Sequence, residues 1–255
     1  MRFEKWQALG NDYLVLEGEE LAAETARALC DRHTGVGADG VLLLGPPRRR
    51  GFVAHLRIFN PDGSEAELSG NGARQAVLYL RRRGWTESDS FSIETAAGEV
   101  RVRVTEEWTC TLDLGRARLG CEGEVEVEGE RLAFLHLAVG NPQTPIRVAD
   151  PDAVDLRTVG PVVEHDPRFP NRTNVAFWRE LAPDRIRARI WERGVGETLS
   201  SGTGAAGAAV AHVLRGGDSP VTVVLDGGEL VVAVGEDLHV DLTGWARPVF
   251  RGELA

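Results

Sequence analysis

An α+β fold of two similar halves, each wrapping strands around one central helix, follows from an internal repeat, two helix patterns placed alike in it, and alternating strand patterns around them. The repeat aligns RIFNPDGSEAELSGNGARQAVLYLRRRG, from Arg57, with RIWERGVGETLSSGTGAAGAAVAHVLRGG, from Arg189, at a constant offset of 132. It pairs Ile58 with Ile190, Asn60 with Glu192, Glu65 with Glu197, Ser69 with Ser201, Gly70 with Gly202, Gly72 with Gly204 and Arg83 with Arg215. A looser echo sets FSIETAAGEVRVRV against VTVVLDGGELVVAV, with the offset reduced to 130.

Each copy reads as a strand, a turn-rich segment, a helix and a β-hairpin. The first helix, expected over 72–83, carries Ala73, Ala76, Val77 and Leu80 at helical spacing, a stripe that buries one face. The second, GAAGAAVAHVL, is alanine and glycine on nearly every side and suits a slim helix enclosed by other elements. The alternating runs EVRVRV and ELVVAV are strands. The halves are placed at 1–115 and 116–255, with a linker near 112–122 and the last strand returning to the first half; RRR at 48–50 reads as a solvated loop.

The 255 residues suffice for a sizeable core, and 42% hydrophobic with 27% charged content is ordinary for a soluble protein. No apolar run reaches membrane-spanning length, and MRFEKWQALGND has no signal-peptide core, so a cytoplasmic protein is expected. A net charge of −10 argues against nucleic-acid or anionic-membrane partners. Cys30, Cys110 and Cys121 form no metal-type spacing with the histidines, so no metal is expected. Lys5 is the single lysine and has no phosphate-cradling loop beside it, which argues against pyridoxal phosphate; no cofactor is expected.

Ser-Gly-Asn-Gly at 69–72 and Ser-Gly-Thr-Gly at 201–204 each run straight into a helix, presenting free backbone amides at the positive end of its dipole. One such turn is an ordinary strand-to-helix connection. Two in matching copies, facing each other, would hold one carboxylate from both sides with a hydroxyl on each face of the attached carbon, an arrangement suited to stereoinversion.

LGNDYLVLE, CDRHTGVGADGVLLL, FNPDGSEAELSGNGAR, VGNPQTPI, GPVVEHDPRFPNRTNVAFW and ERGVGETLSSGTGAAGAA, in this order, resemble the signature segments of the diaminopimelate epimerase family, within the cofactor-independent amino-acid racemase and epimerase superfamily. The resemblance implies two pseudo-symmetric domains, each a β-barrel-like sheet around a central helix, with substrate between them. It implies an isomerase acting at the α-carbon of diaminopimelate or a similar diacid, in lysine and peptidoglycan-precursor synthesis, with a homodimer as the candidate assembly. Ligand-holding roles fall on Asn11, Asn60, Asn141, Asn174, Glu192 and Arg193, and on the turn residues Gly70, Asn71, Gly202 and Thr203. Arg193 supplies a planar fork for the distal carboxylate, and the asparagines supply paired donors and acceptors. Asp39 and Asp62 read as loop-shaping, and His165 as a packing residue.

Ser69 and Ser201 stand where the resemblance places the two catalytic cysteines, and Gln143 where it places a histidine beside the first of them; Glu192, the partner on the second side, is retained. The candidate catalytic set is therefore Ser69, Ser201, Glu192 and Gln143. A hydroxyl is a poor general base without an activating partner, and glutamine cannot take up a proton. Two alternatives stand beside the epimerase: a non-catalytic paralogue that keeps the pocket, and a one-base isomerase or lyase using Glu192.

Overall fold

The computed structural model describes residues 1–127 and 129–254, which form two compact units, Met1–Asp113 with Gly244–Ala255, and Leu114–Thr243. The chain passes between them inside strands Thr109–Arg116 and His239–Trp245, and the stretch expected as a linker is itself extended strand.

One pairing scheme serves both units. In the first, Arg2–Ala8 pairs antiparallel with Arg247–Glu253 on one side and Asn11–Glu17 on the other; Val41–Gly45 then joins in parallel and His55–Phe59 antiparallel. Ser90–Thr95 adds in parallel, followed by the hairpin strands Gly98–Glu106 and Thr109–Arg116. In the second unit Glu130–Val139 pairs antiparallel with Arg118–Val127 and Asn141–Arg147; Asn174–Ala182 joins in parallel and Arg185–Glu192 antiparallel. Val221–Leu225 adds in parallel, then Gly228–Val234 and His239–Trp245 antiparallel. The parallel steps are bridged by helices, as parallel pairing requires a crossover.

The strands of each unit wrap one helix, Gly70–Arg82 or Gly202–Val213. Every residue from Gly70 to Leu80 and from Gly202 to His212 is buried. The first helix begins two residues before the expected start, and its apolar stripe understates its enclosure, because Arg74 and Gln75 on its other faces are also fully buried. Hydrogen bonds meet part of their polar capacity: Arg74 donates to Gly70 O at 3.2 Å and Asn71 Oδ1 at 2.5 Å, and Gln75 Nε2 donates to Asn11 O at 3.0 Å, while Arg74 Nε and Gln75 Oε1 have no hydrogen-bond partner among the described residues. The second helix fits because it is slim: a Cβ at Gly207 would lie 2.9 Å from Gln143 Cβ.

A smaller helix covers each sheet's outer face. Ala26 and Leu29 of Ala23–Cys30 pack on Leu14, Leu16, Leu43 and Phe59. Leu156, Val159 and Val163 of Leu156–Glu164 pack on Phe134, Ile146, Val175 and Phe177. Because strand residues Tyr13–Leu16 are buried on both faces, the segment reads as a continuous apolar run.

Asp12 ties this first unit together. It accepts from Lys5 Nζ at 2.7 Å and from Arg32 at 2.8 Å, while Arg32 also reaches Asp39 at 2.6 Å. Burial opposes ionisation of Asp12, but the hydrogen bonds from Arg32 and Lys5 outweigh it and bring its carboxyl down to about 2. Ionised Asp12 therefore adds stability above the unfolded value near 4 that fades as pH falls towards 2. Asp12→Asn is expected to cost about 1–2 kcal/mol at neutral pH after allowance for solvent screening. Urea unfolding from pH 7 downward checks this, and an unchanged difference at the acid end would contradict it.

Candidate active site

In each unit the central helix opens on a serine in extended conformation, Ser69 with φ −128° and Ser201 with φ −138°. Ser69 Oγ accepts from Gly72 N at 3.0 Å, and Ser201 Oγ accepts from Gly204 N at 3.3 Å. Each serine therefore satisfies one orphan amide of its helix. Glycine is needed three residues on because the space is taken: a Cβ at Gly72 would lie 3.3 Å from Ser69 Oγ and 3.0 Å from Leu42, and at Gly204 3.1 Å from Ile190.

In the first unit Tyr13 donates its phenol hydrogen to Ser69 Oγ at 3.2 Å. Gly70 and Asn71 form the buried first turn, with the Gly70 carbonyl and the Asn71 side chain held by Arg74. Desolvation lowers the Arg74 guanidinium to about 10. Asn11 sits at the start of its strand, its amide donating to Asp39 Oδ2 at 2.9 Å. Asn60 lies in its own turn, its amide on Ser64 Oγ at 3.0 Å, while Asp62 accepts from Ser64. Asp39 and Asp62 thus shape loops, and the hydrogen bonds of Asn60 are local to its turn.

In the second unit Ser201 Oγ donates to Glu192 Oε2 at 3.2 Å, joining the helix start to the end of strand Arg185–Glu192. Burial pushes the Glu192 carboxyl above its ordinary range, although the hydrogen bond from Ser201 pulls the other way. Gln143 is buried against Gly207, its Nε2 donating to Asn141 Oδ1; its Oε1 has no hydrogen-bond partner among the described residues. Asn174 donates to Pro142 O at 2.8 Å and accepts from Arg193 N at 2.9 Å, so it fixes the backbone beneath the Arg193 side chain. The Arg193 guanidinium itself donates to Asn171 O at 2.8 Å. Thr203 lies in the buried first turn after Gly202, its methyl 3.4 Å from where a Cβ on Gly140 would be. Buried Glu164 braces this loop, accepting from Trp191 Nε1 at 2.7 Å, Gly194 N at 3.0 Å and Arg172 at 3.1 Å. His165 caps its helix, Nδ1 2.9 Å from Pro161 O.

The first unit thus gathers Ser69, Gly70 and Asn71, and the second pairs Glu192 with Ser201, Gln143 with Asn141 and Asn174 with Arg193. Sequence reasoning missed Tyr13, Arg74 and Gln75. A signal for Tyr13 was present: LGNDY and VGNPQ match at offset 130, which equates Asn11 with Asn141 and Tyr13 with Gln143.

The family model described as diaminopimelate epimerase matches residues 3–120 and 136–247. A diaminopimelate epimerase of Alkalilimnicola ehrlichii is 42% identical over 277 residues, covering 100% of this chain and 98% of that protein. One from Magnetococcus marinus is 43% identical over 271 residues, covering 99% and 96%. A probable proline racemase from Agrobacterium radiobacter, solved with bound carbonate, shares the fold with a TM-score of 0.77 at 16% identity, covering 100% of this chain and 92% of that one. A phenazine biosynthesis protein of the PhzF family from Bacillus anthracis shares it with a TM-score of 0.77 at 19% identity, covering 100% and 99%.

Glu192 is half-buried and its carboxyl is raised, so its ionisation opposes folding at every pH above its unfolded value. Glu192→Gln is expected to raise the thermal midpoint near neutral pH and leave it unchanged below about pH 4, where both states of the parent hold the proton. Thermal unfolding across that range checks this, and a neutral-pH loss would contradict it.

Proposed function

This chain belongs to the diaminopimelate epimerase family and is an epimerase, and we propose that it inverts the α-carbon of diaminopimelate or a similar diamino diacid by direct proton removal and return. The observation that carries the reading is the repeated helix start. Each unit buries a helix N-terminus behind a serine hydroxyl, and one of those hydroxyls already rests on a carboxylate whose burial favours proton uptake.

In this reading the amides of Gly70, Asn71, Gly202 and Thr203 take the carboxylate next to the reacting carbon, and the helix dipoles stabilise the negative charge that builds as the proton leaves. The resemblance assigns Ser69 to one face of that carbon and Ser201 to the other. On the second face the hydroxyl passes its proton to Glu192 as it accepts one from the substrate, so the carboxylate supplies the basicity that serine lacks. Arg193 takes the distal carboxylate with the N–H groups that Asn171 leaves free, and Asn11, Asn60, Asn141 and Asn174 complete the ligand set. Gln143 orients Asn141 through its amide.

In this reading the protein serves lysine and peptidoglycan-precursor synthesis in the cytoplasm. No helix among the described residues is long and apolar enough to cross a membrane. A homodimer is supported by the outer strand Arg247–Glu253, which exposes Val249 and Phe250. A binding-only paralogue and a one-base isomerase or lyase using Glu192 are not favoured by the relatives.

The test is stereochemical. Incubated with one diastereomer of diaminopimelate in heavy water, the protein is expected to yield the other with deuterium at the inverted carbon. Silence across diamino and acidic amino acids would sink the reading. Replacing both serines, Ser69→Cys with Ser201→Cys, is expected to raise turnover by about tenfold or more, because a thiol near pKa 8.5 ionises unaided. Either single change should give less.

A further inference from the structure

The two helix starts have one topology and different ionisable partners. Ser201 has Glu192 at 3.2 Å. For Ser69 the resemblance points to position 143, but the residue there is a glutamine that neither gives nor takes a proton, and its Nε2 donates to Asn141. A titratable group that does meet Ser69 is Tyr13, whose phenol donates to Ser69 Oγ at 3.2 Å.

Tyr13 is held in that position. It is 6% exposed, and Gly40 makes room for its ring, since a Cβ there would lie 2.5 Å from Tyr13 Cε1. Tyr13 and Gln143 are the third residues of equivalent strands, Asn11–Glu17 and Asn141–Arg147, each antiparallel to the strand before it and parallel to the next. Of these equivalent positions, the one in the unit that carries Ser69 holds the group able to exchange a proton.

We propose that Tyr13 is the proton partner of Ser69, relaying a proton between its phenol and the serine hydroxyl during inversion. This rests on the epimerase reading of both serines. When Ser69 protonates the α-carbon, its O–H bond breaks as the C–H bond forms, and the Tyr13 proton moves to Ser69 Oγ, leaving a phenolate. On the other face the α-proton has passed to Ser201 Oγ while the Ser201 proton has passed to Glu192. One proton thus enters a carboxylate for each that leaves the phenol, and exchange with water resets both groups. In the reverse direction the phenolate takes the Ser69 proton as Ser69 takes one from carbon. A phenol with an ordinary pKa of ~10 bears a negative charge far more readily than an aliphatic hydroxyl, and the helix start beside it favours that charge. Tyr13 acts through Ser69 and is a positioning residue, not one that touches substrate.

The experiment compares wild type, Tyr13→Phe, Ser69→Cys and the double variant in deuterium uptake at the α-carbon of diaminopimelate, with thermal stabilisation by the same compound reporting binding. Tyr13→Phe should lower kcat about tenfold or more while KM and ligand stabilisation stay within about twofold. In the Ser69→Cys background the same change should cost no more than about threefold, because a thiol ionises without help. Equal losses in the two backgrounds, or no loss in either, overturn the relay while leaving the epimerase reading intact. No exchange by any of the four proteins overturns both.

A second measurement guards against a folding defect. Tyr13 and Tyr79 are the only tyrosines, so biosynthetic fluorotyrosine in a Tyr79→Phe background alters the acidity of this one phenol with little change of shape. A relay changes kcat by about threefold or more, and an unchanged kcat overturns it.

Discussion

The fold is built around a helix that is buried from its first turn. A helix in water leaves its first amides to solvent, but here Gly70–Leu80 and Gly202–His212 are enclosed by strands, so those amides must be met by protein or ligand. Ser69 and Ser201 each meet one, and their extended backbones turn the chain from strand into helix. The remaining amides of the first turn are the ones the proposed reading assigns to the substrate carboxylate. Glycine at 72 and 204, and the alanine-rich second helix, follow from how closely the neighbouring side chains approach.

Enclosure also governs the electrostatics. Arg74 is buried with a carbonyl and an amide oxygen as its hydrogen-bond partners, both neutral, and loss of water lowers its guanidinium to about 10. Glu192 is raised by the same loss of water. A positive charge within the first helix and a raised carboxyl beside the start of the second are both costly for stability. Elsewhere the buried carboxylates are conventionally satisfied: Glu164 holds Trp191, Arg172 and a backbone amide, and Glu4 meets Trp6, Arg83 and Arg251.

The two units show how a repeated backbone can carry different chemistry. Their strands pair in the same sequence of parallel and antiparallel steps, and their serines cap in the same way. The side chains behind the serines differ because they arrive on different strands. Glu192 ends the strand aligned with His55–Phe59, where the first unit has Asn60 after its strand, whereas Tyr13 comes from the strand aligned with Asn141–Arg147.

What the amino-acid order determined by itself was what depends on local pattern. The repeat at offset 132 marked Ser69 and Ser201 as equivalents, helical spacing and alternation placed the central helices and hairpins, and Gly-rich turns flagged the helix starts. Periodicity describes one element at a time, so it assigned the first helix a single buried face. The tertiary structure decided that Arg74 and Gln75 are buried too, because strands from distant parts of the chain close over every side. It decided likewise that Tyr13 meets Ser69 across 56 positions of sequence, that Gln143 turns to Asn141, and that burial raises the Glu192 carboxyl above its ordinary range. Such contacts depend on strand register and on the space a missing Cβ leaves at Gly40 and Gly207, and neither is a property of any short stretch of residues.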